Sequence, residues 1–236
     1  MRKRYLAYSI AILALGPALM PACAARAQSM NARQVLDQMN ASSARFHDVK
    51  ADITVDLYTA IVQEHELQKG MTAFRRHDGS MEMVSHLDSS TGQPVAEILY
   101  KNGELDYYQP SVAQETIFSA ASNRGEWDTL LATGFGATAQ DLTSQWNVTF
   151  EGMETIDGHP TAKLDLVSKQ ANIRNNYFSH VTIWLDLSHD ISLKQIFVQP
   201  DGDSKTVTYN HIRYNTRLPN SLFTLRVARG TQVTRK

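Results

Sequence analysis
Cysteine is almost missing from this chain: Cys23 is the only one in 236 residues. Once the N-terminal segment is removed, no thiol is left, so neither disulfides nor thiol chemistry enter the account. A domain of this size needs no covalent staple, so the absence carries no information about compartment. Excess charge of either sign is lacking too, with 23 Lys and Arg against 24 Asp and Glu. Nucleic-acid binding rests on neutralising phosphates with Lys and Arg, so that class is excluded. Long apolar runs are absent. The longest, Tyr5 to Leu15, is too short to span a bilayer comfortably. There is no internal repeat and no alternation of strand and helix.

Chemical motifs are equally scarce. His65-Glu66 opens like a zinc-protease motif, but Lys69 stands where the second histidine is required. The eight histidines are scattered, and none is spaced as a ligand pair. Gly202-Asp203-Ser204 falls in a turn, where Gly and Asp are expected anyway. Gly134-Phe135-Gly136 lacks the pattern of a phosphate loop. Asn147-Val148-Thr149 is a glycosylation sequon by pattern only. No acid, base and nucleophile converge, so an enzyme is not expected, and no cofactor or metal is called for.

What is present begins with an export signal. MRKR, the apolar run and the small residues around Ala25-Arg26-Ala27 form a secretory signal peptide over residues 1–27. Cleavage after Ala27 leaves 236 − 27 = 209 residues with a formal charge of 19 − 24 = −5, because the removed part holds four basic residues and no acid. Residues 28–236 then suit one mainly β domain. Met20-Pro21-Ala22-Cys23 faintly resembles a lipobox, so a lipid anchor on Cys23 stays open as the alternative to a soluble periplasmic product.

Lys50 to Val62 alternates apolar and polar residues with a period of two, which predicts a strand with one apolar and one polar face. Before it, Met30 to Phe46 reads as a helix, with Asn31 as cap, Gln34 three residues on, and Val35, Leu36, Met39 and Phe46 on one side. Strands follow at 65–76 and 80–87. Asn102-Gly103 joins 95–101 to 104–109 as a hairpin. The stretch from Ala120 to Gln145 interrupts this rhythm. It contains a helical segment at Glu126–Thr133, the glycines 134 and 136, and a capping box at Thr138–Asp141. Its apolar residues make it a candidate lid. Strands resume at 146–156, 161–167, 178–187, 191–199 and 205–214, with a last one at 223–227. The fold class is mainly β (α+β): a curved antiparallel sheet with a few helices on one face.

Several segments resemble the LolA/LolB-like lipoprotein carriers and outer-membrane lipoprotein-sorting proteins. They are Phe46-His47, Gly70 opening a strand that ends at Arg75-Arg76, KNGELDYYQP from Lys101, and TIDGHP from Thr155. The C-terminal runs IWLDLSHDISLKQ, DGDSKTVTYNHIRYN and LPNSLFTLRVARGTQV complete the set. Their order and spacing, not any one of them, carry the likeness. The resemblance implies a half-open β-barrel whose hydrophobic concave side takes up lipoprotein acyl chains, or other lipids, and moves them toward the outer membrane. An inner-membrane release complex and an outer-membrane receptor would be its partners, and a monomer is expected.

The resemblance places in that cavity Leu36 and Met39 of the helix, together with Ile53, Val55 and Leu57. It adds Met71, Met81 and Met83, then Leu130, Leu131 and Phe135 of the insertion. Phe150, Leu164, Val181, Ile183 and Leu185 complete the set. Taken alone, these rows are what any sheet core requires. Arg76 corresponds to an arginine that ties the lid shut in the empty carriers, although His77 stands where they have proline. On the residues alone Arg76 is a solvated strand-end charge, and both readings stay open. The same fold serves in envelope sensors of lipids or lipoproteins and in lipid-anchored receptors, which are the alternatives to a carrier.

Overall fold
The computed structural model describes residues 30–119, 133–169 and 178–236. The segment expected as a signal peptide, Cys23 and most of the helical stretch expected at 126–133, including Leu130 and Leu131, lie outside the described residues. Helix α1 (Ala32–Ser43) starts where expected. Asn31 accepts from the Gln34 amide at 3.0 Å, and the Gln34 side chain accepts from the Asn31 amide at 2.9 Å. Such a cap is worth about 1 kcal/mol. The helix buries Val35 and Met39 completely.

Twelve strands follow: β1 (Asp48–Thr59), β2 (Glu64–His77), β3 (Ser80–Ser89), β4 (Pro94–Lys101), β5 (Glu104–Gln109) and β6 (Gln114–Ser119). After helix α2 (Ala139–Gln145) come β7 (Trp146–Ile156), β8 (His159–Ser168), β9 (His180–Asp186), β10 (Ile191–Val198), β11 (Ser204–Tyr214) and β12 (Gln232–Arg235). They form one sheet in the order β12-β6-β5-β4-β3-β2-β1-β11-β10-β9-β8-β7. Every pairing is antiparallel except that of β12 with β6. The sheet curves without closing, and β12 and β7 stand at its edges. Asn102-Gly103 makes the β4–β5 turn with φ of 55° and 79°, the left-handed pair that a two-residue hairpin demands. Among the described residues, no helix is long and apolar enough to cross a membrane.

The period-two reading of β1 holds as far as Thr59; residues 60–62, expected in the strand, form a turn that leaves Ile61 exposed. Val49, Ala51, Ile53 and Val55 are at most 6% exposed and face the concave side. Directly opposed residues share a face, so Tyr209 and Val207 of β11 and Phe74 of β2 join them. Helices α1 and α2 pack together and against β7. Ser42 of α1 donates to the Leu187 carbonyl at 2.7 Å. Ala162, Leu164 and Leu166 of β8 and Val181, Ile183 and Leu185 of β9 belong to the same continuous core and are closed to solvent.

The convex side departs from expectation. The strands were expected to have a polar outer face, yet the chain after β11 crosses the outside of β2, β3 and β4. It lays Phe223, fully buried, against Ala73, Val84 and Leu99. The Arg75 guanidinium lies 4.1 Å from the centre of the Phe223 ring, pairs with Glu82 at 2.5 Å and donates to Asn220 at 2.6 Å. The strand expected at 223–227 therefore does not form. A 3-10 turn at Asn220–Leu222 drops Phe223 onto the sheet, and the final strand comes later, at Gln232–Arg235 beside β6.

Candidate functional site
Between the curved sheet and the segment before α2 lies a cavity of about 340 Å³, near the lower end of the roughly 300–1,000 Å³ typical of small-molecule sites. Ile53 and Val55 of β1 and Val207 of β11 form its floor. Phe74, Met83 and Leu87 line the side toward β2 and β3, and Ile98, Leu105 and Phe118 continue it across β4, β5 and β6. Phe178 and Phe197, whose ring centres are 5.0 Å apart, close the other side.

One end is filled by the chain itself. β10 pairs with β11 only from Lys194 onward. Its beginning pairs with residues 134–136, as the Ser192 amide donates to the Gly134 carbonyl at 2.6 Å and the Gly136 amide to the Asp190 carbonyl at 3.0 Å. The Gln195 side chain donates to the Thr133 carbonyl at 2.6 Å and accepts from the Tyr209 hydroxyl at 2.7 Å. Burial pushes the Tyr209 phenol up, so it stays a neutral donor. This short strand drives Phe135 into the cavity. Its ring stacks on Phe74 at 4.1 Å between centres, nearly parallel at 9°, and meets Tyr209 edge-on at 4.9 Å.

Glycine is needed on both sides of Phe135. Gly134 and Gly136 have φ of 80° and 71°. A Cβ at 136 would lie 2.4 Å from the Phe46 ring, and one at 134 only 2.0 Å from Ser192 Oγ. The pattern Gly134-Phe135-Gly136 is thus explained by a plug that must pass close to two walls.

Arg76 ends the concave row of β2 beside this plug. Its Nη2 donates to the Gly136 carbonyl at 2.6 Å, and its Nη1 reaches the Ser43 carbonyl of α1 at 3.4 Å. A link from sheet to insertion therefore exists at the position the resemblance singled out. His77, in place of proline, is the last residue of β2 and opposes Ser80. Asp190 lies beneath the plug with no exposed surface, and both its carboxyl oxygens are without a hydrogen-bond partner among the described residues. Burial pushes its pKa up to about 8, partly offset by nearby Arg76 and reinforced by Asp141. Among the described residues no cluster of three or more His, Cys, Asp or Glu could hold a metal ion.

Of the residues expected in the cavity, Ile53, Val55, Met83 and Phe135 line it. Met39, Met81, Leu164, Val181, Ile183 and Leu185 are buried in the surrounding core, and Leu57 and Phe150 pack against that core half-buried. Leu36 is also half-buried, on α1. Met71 is a correction: it opposes Asp52 on the convex side and packs with Leu218, Leu222 and Leu225 around Phe223. Phe74, Leu87, Val207 and Tyr209 were missed, although they follow from opposing each strand to the β1 row. Lys205 was missed as well, and it lines the cavity beside Phe197 and Gln199.

No family model matches the sequence. No curated protein matches it either. Solved structures do match. A conserved protein from Thermus thermophilus superposes with a TM-score of 0.51 at 14% identity, covering 87% of this chain and 99% of the other. A LolA superfamily protein from Nitrosomonas europaea gives a TM-score of 0.41 at 14% identity, covering 84% and 99%. MucB gives 0.47 at 12% identity, covering 83% of this chain and 62% of MucB. Likeness at this identity shows a fold alone.

Proposed function
We propose that this protein, which has a LolA-like fold, is a periplasmic, non-enzymatic carrier that binds the acyl chains of lipoproteins or other lipids and moves them toward the outer membrane. The observation that supports this most is the plugged cavity. Its walls are mostly aliphatic and aromatic, with Thr72, Ser85, Gln195, Gln199 and Lys205 between them, and one of its aromatic groups, Phe135, sits on a segment held by main-chain and side-chain bonds, not by the sheet ladder alone.

The physical logic has two halves. Each buried methylene contributes about 0.8 kcal/mol, so an apolar trough holds an acyl chain without any bonding chemistry. A carrier must also release its load, so the empty form needs its own stabilisation. Phe135 occupying the trough and Arg76 holding the Gly136 carbonyl provide it. Displacing the plug opposes loading, and restoring it favours release. Residues 1–27 supply export in this reading, and a release complex and a receptor supply the two ends of the route.

The test is displacement of a bound fluorescent probe, 1-N-phenylnaphthylamine. A synthetic triacylated lipopeptide should compete for it, and the same peptide without its acyl chains should not. Competition by neither would remove the carrier reading.

A further inference from the structure
One side chain in the cavity does not suit a purely hydrocarbon occupant. Lys205 stands on the concave row of β11, opposite Leu57 on one side and Phe197 on the other. It is half-buried and lines the cavity with Phe178, Phe197 and Gln199. Among the described residues its ammonium has no hydrogen bond and no ion pair. Burial lowers its pKa, and no charged neighbour offsets that effect. Asp203, two residues before Lys205, accepts from the Ala60 amide at 2.8 Å, and Glu66, beyond Leu57 on the same face, accepts from the Gln68 side-chain amide at 2.9 Å. A cation facing an apolar space without a counter-charge is costly. Lys205 is only half-buried, so part of that cost is met by solvent, and an anionic occupant supplies the partner that solvent replaces poorly.

Position says which end of the occupant. Phe135 fills the cavity near Tyr209, and Lys205 is four residues away along the same strand, about 13 Å at the usual rise. The cavity thus has an aromatic end that the plug occupies and an opposite end with a single positive charge and the Gln199 amide.

We propose that the cavity selects amphiphiles with an anionic head, a carboxylate or a phosphate ester, seated on Lys205, with the acyl chain running toward Phe135. This rests on the acyl-binding reading above and narrows its lipid branch to a ligand class, because the diacylglyceryl anchor of a lipoprotein carries no anionic head. A fatty acid and a lysophosphatidate share the required chemistry. Their neutral counterparts, a fatty methyl ester and a monoacylglycerol, do not.

The experiment uses cis-parinaric acid and its methyl ester as fluorescent ligands, with the full mature chain and its Lys205→Met and Lys205→Arg variants. The wild type should bind the acid about tenfold or more tightly than the ester, the worth of one charge-assisted bond. Lys205→Met should bring that ratio to about one, and Lys205→Arg should restore it. Competition by lysophosphatidate but not monoacylglycerol extends the site to phosphate heads. Competition by neither, with the acid preference intact, confines it to carboxylates. Equal binding of acid and ester by the wild type overturns the proposal. So does an unchanged ratio in a Lys205→Met variant that unfolds cooperatively. Binding of neither ligand overturns it together with the acyl-binding reading.

Discussion

Replacing Phe135 by alanine separates a plug from an ordinary core residue. The ring is 1% exposed, stacked on Phe74 and edge-on to Tyr209. Truncating a buried phenylalanine costs about 3–5 kcal/mol in stability. The lower figure applies here, because the ring already borders a cavity of about 340 Å³, so deletion enlarges a space instead of opening one in close packing. A core residue would simply lose that energy. A plug loses it from the closed state only, and the apparent affinity for an apolar ligand rises as the open fraction grows. If about half of the 3 kcal/mol is specific to the closed state, binding of 1-N-phenylnaphthylamine tightens roughly tenfold. Urea unfolding and fluorescence titration, run on the same preparations, give both numbers. A variant that unfolds cooperatively, is destabilised as expected, and binds the probe no better or more weakly would refute the reasoning.

Three further outcomes are expected. Arg76→Met removes the bond to the Gly136 carbonyl and should cost about 0.5–1.5 kcal/mol in urea unfolding while raising probe affinity severalfold, the same signature as Phe135→Ala in weaker form. Met71→Ala, on the convex side under the C-terminal crossing, should cost about 1–2 kcal/mol and leave probe affinity within about twofold, as titration beside Met83→Ala would show. Asp190 predicts a pH dependence: with its folded pKa raised to about 8, the folded state holds a proton that the unfolded chain gives up near 4. Stability from this group is therefore fully present below about pH 4 and is lost as pH rises toward 8, at up to about 1.4 kcal/mol per unit. Asp190→Asn should flatten that slope in urea titrations at pH 5, 6, 7 and 8, and parallel slopes would contradict it.

Much of the fold can be read in the residues. The caps at Asn31 and Thr138 and the Asn102-Gly103 turn are local chemistry, and each falls where its side chains demand. The alternation in β1 is long enough to assign both of its faces. Difficulty starts where both rows of a strand are apolar. In β2 the rows are Met71 with Ala73 and Thr72 with Phe74, and alternation alone cannot say which is concave. The register with β1 decides it, together with the crossing of Phe223 over Ala73, which joins residues 150 apart in the chain. The apolar character of residues 223–227 misleads for the same reason, because a segment that covers a sheet looks like a strand within one. The plug is legible only in part. Two glycines around a phenylalanine signal a tight passage, but not that β10 leaves β11 to receive it. Lys205 is silent in the sequence, since a lysine in a strand is normally placed in solvent.

Native mass spectrometry of the protein, isolated gently from its own cells, tests the central claim most directly. The account predicts a fraction carrying an acylated species, lipopeptide, lipoprotein or anionic lipid, that is lost on mild collisional activation. A bare protein that also fails to take up 1-N-phenylnaphthylamine would mean that the cavity is only an imperfection of the core, and the carrier account would be wrong.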